Sequence, residues 1–456
     1  MKKSSFYFLA ITLLVLTAIF LIVGQKSDRN KMSGLQKHSD SARLVSLLAK
    51  DRLIRDSSVT ISQDQAGWPC FHGINRDNKS TETGLLKSWP DGGPELLWSA
   101  SGLGEGYSSV AVAGGLIYTA GIVGNQTYVF AFDLNGKPVW KKPNGPAWKV
   151  EVSWASSYNG PRSTPTYDNG IVYHLSEAGR LTAYRSGTGD AIWSKDMVKD
   201  FGAVMTDYGF SESVLIDGNN LYVRPAGTKG FQVCLNKLTG EVIWANNEIP
   251  GAYAYNSSII HESGGYRQLI SASSNCYYGV DTKTGTLLWK VPLENTHELN
   301  CTDAVSFKEY ILLSTTGEGC LLVKLSPSGK GINPEIVWHT DLMDNYHGGI
   351  VFHDGYFYGS GDRNHGWFSI DLLTGKPMWK AQGAGSLTYA DGRLYLYNDN
   401  GIMRLVKASP EKYEITGEFR VPRGGSGPYW AHPVVCGGRL YLRHTDQLFV
   451  YNISRI

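Results

Sequence analysis

FSIDLLTGKPMW, residues 368–379, restates in outline a stretch nearly 240 positions earlier, VFAFDLNGKPVW at residues 129–140. The shared pattern is a short apolar run, then a polar residue, then a Gly-centred turn, then Trp. It returns in GVDTKTGTLLW (279–289), CLNKLTGEVIW (234–244) and AYRSGTGDAIW (183–193). Repetition at a steady period dictates architecture before any local reading does. Starting from GPELLW, the terminal aromatic stands at Trp98, Trp140, Trp193, Trp244, Trp289, Trp338 and Trp379 and, more worn, at Phe419, with intervals of 40 to 53 residues. A four-stranded propeller blade takes about 40–50 residues.

One whole unit, Ser163 to Trp193, divides into four strand-sized pieces at DNG, EAG and SGTG, each with a Gly able to supply the positive φ of a tight turn. Matching units begin near Ser109, Ser163, Glu212, Ser258, Asp303, Gly349, Ser386 and His432, which makes eight. The last unit, residues 431–452, lacks a Trp strand, while PELLW at residues 94–98 is a Trp strand with no predecessors. The expected fold is therefore all-β: an eight-bladed β-propeller of four-stranded antiparallel blades, its ring closed where the N-terminal strand completes the C-terminal blade. The recurring Trp then packs between blades as a structural wedge, each burying roughly 150–250 Å².

Composition agrees with many short strands and turns: 53 Gly, 26 Tyr and 13 Trp. The formal charge of +2 and the lack of a basic block in the repeat region argue against a nucleic-acid partner. Residues 4–25 carry no charge, and Phe6 to Val23 is an almost unbroken apolar run behind Lys2 and Lys3. That run is longer than the roughly 7–15 residues of a signal-peptide core and close to the ~20 that span a bilayer. Residues 1–25 are read as a membrane anchor or signal segment, an uncleaved transmembrane helix being preferred to a cleaved signal. Residues 26–66 read as a polar stalk, with Leu44, Leu47, Leu48 and Ile54 at the spacing of a short amphipathic helix, and residues 67–456 as the propeller. The export reading puts the bulk of the chain in the periplasm or another extracytoplasmic space, tethered to the cytoplasmic membrane. The six scattered cysteines form no CxxC, CxxCH or adjacent pair, so zinc, thioredoxin-like and c-haem readings lose support; disulfides are permitted in an exported protein, and buried thiols are the simplest role for most of them.

The tandem DxxTGxxxW-like units resemble the repeat of pyrroloquinoline-quinone (PQQ)-type β-propellers. Two relatives share that repeat: the quinoprotein alcohol dehydrogenases, and the non-enzymatic propeller lipoprotein of the outer-membrane β-barrel assembly machinery. The resemblance runs from about Trp68 to the C-terminus and includes GEGYSS (104–109), NYHGGIV (345–351) and GSLTYADGRLYL (385–396). It implies fold strongly and function weakly.

Aligning the blades at the start of strand one gives three columns. The first holds Tyr107, Arg162, Phe210, Asn256, Cys301, His347, Ala384 and Trp430, and the second only small residues. The third holds Ser109, Thr164, Glu212, Ser258, Asp303, Gly349, Ser386 and His432. Strand alternation places columns one and three on a common face. The candidate ligand-binding residues of a central funnel are Tyr107, Arg162, Glu212, Asn256, Asp303, His347, Trp430 and His432, with Arg162 alternatively paired to Glu212 or Asp303. No catalytic or metal-binding residue is assigned. His347 and His365 lie on different segments, and no GxSxG elbow or HExxH helix occurs.

The resulting expectation is a non-catalytic binding or scaffolding propeller of the cell envelope, without a cofactor, whose partner is an envelope protein or a small-molecule ligand. The alternative implied by the resemblance is a PQQ- and calcium-dependent alcohol or sugar dehydrogenase. Asp303, Glu212 and Asn256 supply oxygen ligands of the right kind for it, but the adjacent Cys pair usual in that chemistry is missing.

Overall fold

The computed structural model describes residues 44–46, 48, 67–149, 158–293, 299–329 and 331–455. The expected anchor and most of the stalk lie outside these residues. Within the stalk, Leu44 to Ser46 and Leu48 are helical. Among the described residues no helix is long and apolar enough to cross a membrane. The chain divides into two units, Met1–Val59 and Thr60–Ile456, and all of the described strands belong to the second.

Among the described residues, thirty-two strands form eight four-stranded antiparallel sheets. Seven sheets take four consecutive strands each; blade 6, for example, is Val351–His353, Tyr356–Gly361, Gly366–Asp371 and Pro377–Gln382. The eighth joins Val434–Cys436, Arg439–His444 and Gln447–Asn452 to the N-terminal strand Leu96–Ala100, with Trp98 opposite Val450 and Ser99 opposite Phe449. The molecule is an eight-bladed β-propeller. Neighbouring blades share apolar cores, and blades 1 and 8 share one in which Val110, Ile117 and Phe132 meet Val434, Tyr441 and Val450.

The repeat motif is an inter-blade contact written in two halves. Each Trp lies on the outer strand of its blade and reaches the turn between the last two strands of the next. The indole Nε1 of Trp140 donates to Ser186 O (2.7 Å), Trp193 to Lys237 O (2.9 Å), Trp244 to Thr282 O (3.0 Å) and Trp338 to Leu372 O (2.8 Å). The turn's Gly lies under the ring. A Cβ on Gly285 would sit 2.5 Å from Trp244, and one on Gly375 would sit 2.7 Å from Trp338, at φ of 73° and 69°. The motif's Asp holds the turn from inside: Asp281 Oδ1 accepts from the backbone N–H of Lys283 and Thr284. One seam departs from the pattern. Blade 5 has no TG turn but a long hairpin, Gly319–Ser328 and Gly331–Thr340, and Trp289 instead donates to Gln268 of its own blade at 2.6 Å.

Before the N-terminal strand, residues 67–95 run across the blade starts. Trp68 pairs with Val112 of blade 1, Lys79 with Tyr389 of blade 7, and Leu85 with Ser454 beyond blade 8. Between the first two of these, Arg76 donates to the carbonyls of Ser213, Val214 and Ser258 at the starts of blades 3 and 4. The chain thus occupies its own axis with a plug.

Candidate functional site

The residues that lead into the first strands are irregular, because the strands themselves begin later, at Ala111, Thr166, Leu215, Ile259, Val305 and Val351. The two-residue alternation expected of the columns therefore does not hold. Ser211 and Ser257, from the small column, line the same pocket as Tyr107 and Arg162. Elsewhere that column links blades: Ser257 Oγ accepts from Ser213 N (3.0 Å), and Thr302 Oγ1 donates to Asn345 O (2.9 Å).

The pocket is open-mouthed, about 750 Å³, and takes residues from every blade but the seventh. Convergence of so many blade starts puts it on the propeller axis, where ligand sites with apolar walls and a few placed polar groups are found. Five of the eight sequence candidates meet here: Tyr107, Arg162, His347, Trp430 and His432. Trp430 is the centre of an aromatic cluster. Tyr158 stacks on it at 5.1 Å and 4°, while His347 (4.9 Å), Tyr107 (5.4 Å) and Tyr346 (5.8 Å) surround it. Arg162 lies 5.5 Å from the ring centres of both Tyr107 and Tyr208 and donates to the carbonyls of Tyr158 (2.6 Å) and Tyr208 (3.1 Å). Among the described residues it has no ion-pair partner, neither Glu212 nor Asp303.

Burial sets the charge of the walls. It lowers His347 to about 3, so the imidazole is neutral, and it raises Tyr107 and Cys301 to about 12, which keeps both protonated. His432 is held well below its usual range by burial and by the neighbouring His72. Neither ring nitrogen of His347 has a hydrogen-bond partner among the described residues.

The other three candidates do not reach the pocket. Glu212 is fully buried and accepts from Arg224 N (2.7 Å) and Ser258 Oγ (3.0 Å). Asn256 turns its amide onto Ser257 O (3.0 Å). Asp303 accepts from Ser257 N (2.6 Å), and its other oxygen lies 3.2 Å from His72 Nδ1. His72 Nε2 is in turn 3.1 Å from His432 Nδ1, and His432 Nε2 donates to His347 O at 2.6 Å. The plug, not an open channel, is what meets Asp303 and the Glu212 layer. Phe71 stacks on His72 at 3.7 Å and forms part of the pocket's lining.

Sequence reasoning missed this plug, because the His72 to His432 contact joins residues 360 positions apart and no local periodicity marks it. It also missed Tyr255 and Tyr346, which sit one residue before Asn256 and His347; comparing one more column would have found them. All six cysteines are unpaired thiols, and only Cys301, at the pocket, is not fully buried.

Fold and repeat define a PQQ-type β-propeller. A family profile described as outer membrane protein assembly factor BamB matches residues 125–381, more than half of the chain, and the chain belongs to that family. The BamB of Shewanella oneidensis is 22% identical over 273 residues, covering 55% of this chain and 66% of its own length, just under two thirds. Among solved structures, BamB from Moraxella catarrhalis superposes with a TM-score of 0.56 at 13% identity, covering 79% of this chain and 100% of that one. Quinohemoprotein alcohol dehydrogenase from Comamonas testosteroni does so with a TM-score of 0.61 at 12% identity, covering 91% and 85%. At such identities the structures establish the fold alone.

Proposed function

We propose that this chain is a non-catalytic binding or scaffolding propeller of the cell envelope, exported by its N-terminal apolar segment and held at the membrane by it, with the ring closed by the Leu96–Ala100 strand. The observation that carries this reading is family membership joined to the donor set on the axis. Calcium and PQQ require clustered carboxylate and amide oxygens facing the ligand. Here Glu212, Asn256 and Asp303 are turned into structural hydrogen bonds, and among the described residues no group of three His, Cys, Asp or Glu is placed to hold a metal. These residues do not fit the quinone and its ion.

A protein partner has two surfaces to use. One is the axial pocket. The other is the rim, where the residue before the Trp faces water on several outer strands, as with Leu97, Val139, Ile192, Ile243 and Met378. Outer strands also expose unpaired backbone groups, which permits strand addition by a partner. The name of the Shewanella relative ties that protein to outer-membrane protein assembly; for this chain the proposed partner is an envelope protein.

The test is co-purification of the tagged full chain from cell envelopes, with mass spectrometry of the bound proteins. A reproducible envelope partner that survives Arg162→Ala and His347→Ala supports the scaffold. If those variants abolish a measured turnover while the partner stays bound, the scaffold reading fails.

A further inference from the structure

The axial pocket has the chemistry of a receptor for one negative charge on a flat body. Among the described residues, none that lines the pocket is Asp or Glu, its histidines and tyrosines are neutral, and Arg162 is its only cation. The guanidinium carries five N–H groups in a planar fork. Its hydrogen bonds to protein go from Nη1 to Gly160 O and Tyr208 O and from Nη2 to Tyr158 O. Among the described residues, Nε–H and the second Nη2–H have no acceptor. Nε and Nη2 together therefore keep two N–H groups for an anion such as a carboxylate.

Burial already disfavours the Arg162 charge, and the carbonyls and ring faces around it only partly compensate. A desolvated cation beside an open cavity is what an entering anion relieves. The same charge repels cationic ligands, so the surrounding rings do not serve as a cage for quaternary ammonium groups. The walls select for shape. Trp430, Tyr208, Tyr255 and Tyr346 present apolar ring surface beside the neutral imidazole of His347.

We propose that this pocket binds aromatic monocarboxylates, with the carboxylate on Nε and Nη2 of Arg162 and the ring against Trp430 and its neighbouring tyrosines. This goes beyond the scaffold role and stands apart from a partner held at the rim, since binding at the axis leaves the outer strands untouched.

The experiment is calorimetric titration of the purified full chain at neutral pH with indole-3-acetate and benzoate, their neutral amides, and the non-aromatic acid glucuronate, with tryptophan fluorescence as a second signal. The expected result is saturable binding of the aromatic acids, at least about tenfold weaker binding of the amides, and weaker binding still of glucuronate. Arg162→Gln should bring the acids down to the level of the amides, and Arg162→Lys should restore part of the difference. Amides bound as tightly as acids, glucuronate preferred to the aromatic acids, or no saturation by any acid at millimolar concentration would each overturn the proposal. The acid-to-amide comparison uses the unaltered chain, so it stands even if the variants fold poorly. An intact envelope partner alongside a negative titration would sink this inference and leave the scaffold standing.

Discussion

The two-part contact between Trp244 and Gly285 makes a quantitative prediction. Trp244 is 9% exposed, its Nε1 donates to Thr282 O, and its ring lies over Gly285, whose φ is 73°. Trp244→Ala removes a buried indole and leaves a cavity at the seam of blades 3 and 4, which costs about 3–5 kcal/mol. Thr282 O is not orphaned, because Tyr222 also donates to it, so no further desolvation charge is added. Gly285→Ala imposes a side chain on a left-handed backbone, about 1–2 kcal/mol, and drives a methyl to 2.5 Å from the ring, about 1–3 kcal/mol more for displacing it. In the double variant the ring is gone and only the backbone part of the second cost remains. The pair should therefore destabilise by about 1–3 kcal/mol less than the sum of the singles. Guanidinium denaturation followed by circular dichroism, with midpoints compared at equal slope, measures this. Singles and double adding to within about 0.5 kcal/mol would refute the claim that motif and Trp form one contact across blades.

Three other residues carry expectations of their own. Arg76→Ala strips the buried carbonyls of Ser213 and Ser258 of their side-chain donor, while Val214 O keeps Thr166 Oγ1, and should cost about 2–4 kcal/mol by denaturant unfolding, with Arg76→Lys recovering only part because one ammonium cannot span them. His174 is fully buried and burial lowers it to about 3, so the unfolded chain binds a proton that the folded chain refuses; stability should be full above about pH 6.5 and fall as pH drops toward 3, by at most about 1.4 kcal/mol per pH unit for this group, and His174→Phe should flatten that slope. Maleimide should label at most one of the six cysteines in the native protein, slowly and at Cys301, whose thiol burial keeps protonated, and mass spectrometry of the labelled peptide checks it.

The blades were legible in the sequence because their punctuation is local. A turn needing positive φ, an Asp to hold it and a Trp a few residues on are all fixed within one short stretch, as Asp371, Gly375 and Trp379 illustrate. What sequence reading did not reveal is that Gly375 receives Trp338 of the preceding blade and not its own Trp379. Blade 5 was counted correctly from its Trp spacing although its missing TG turn leaves Trp289 to bond within blade 4. The site was half legible. Aligning blade starts brought Tyr107, Arg162, His347, Trp430 and His432 to one layer, since equivalent positions in a circle of repeats must converge. Glu212, Asn256 and Asp303 were misplaced because strand alternation was applied to residues that are not yet strand, and because a plug from residues 67–79 fills the level below.

The most direct test of a propeller that binds without turning over is reconstitution of the full chain with PQQ and Ca²⁺, followed by desalting, an absorption spectrum and dye reduction with alcohols and sugars. The account predicts no retained quinone chromophore and no substrate-dependent reduction. A chromophore that stays with the protein and reduces dye when an alcohol is added would contradict it.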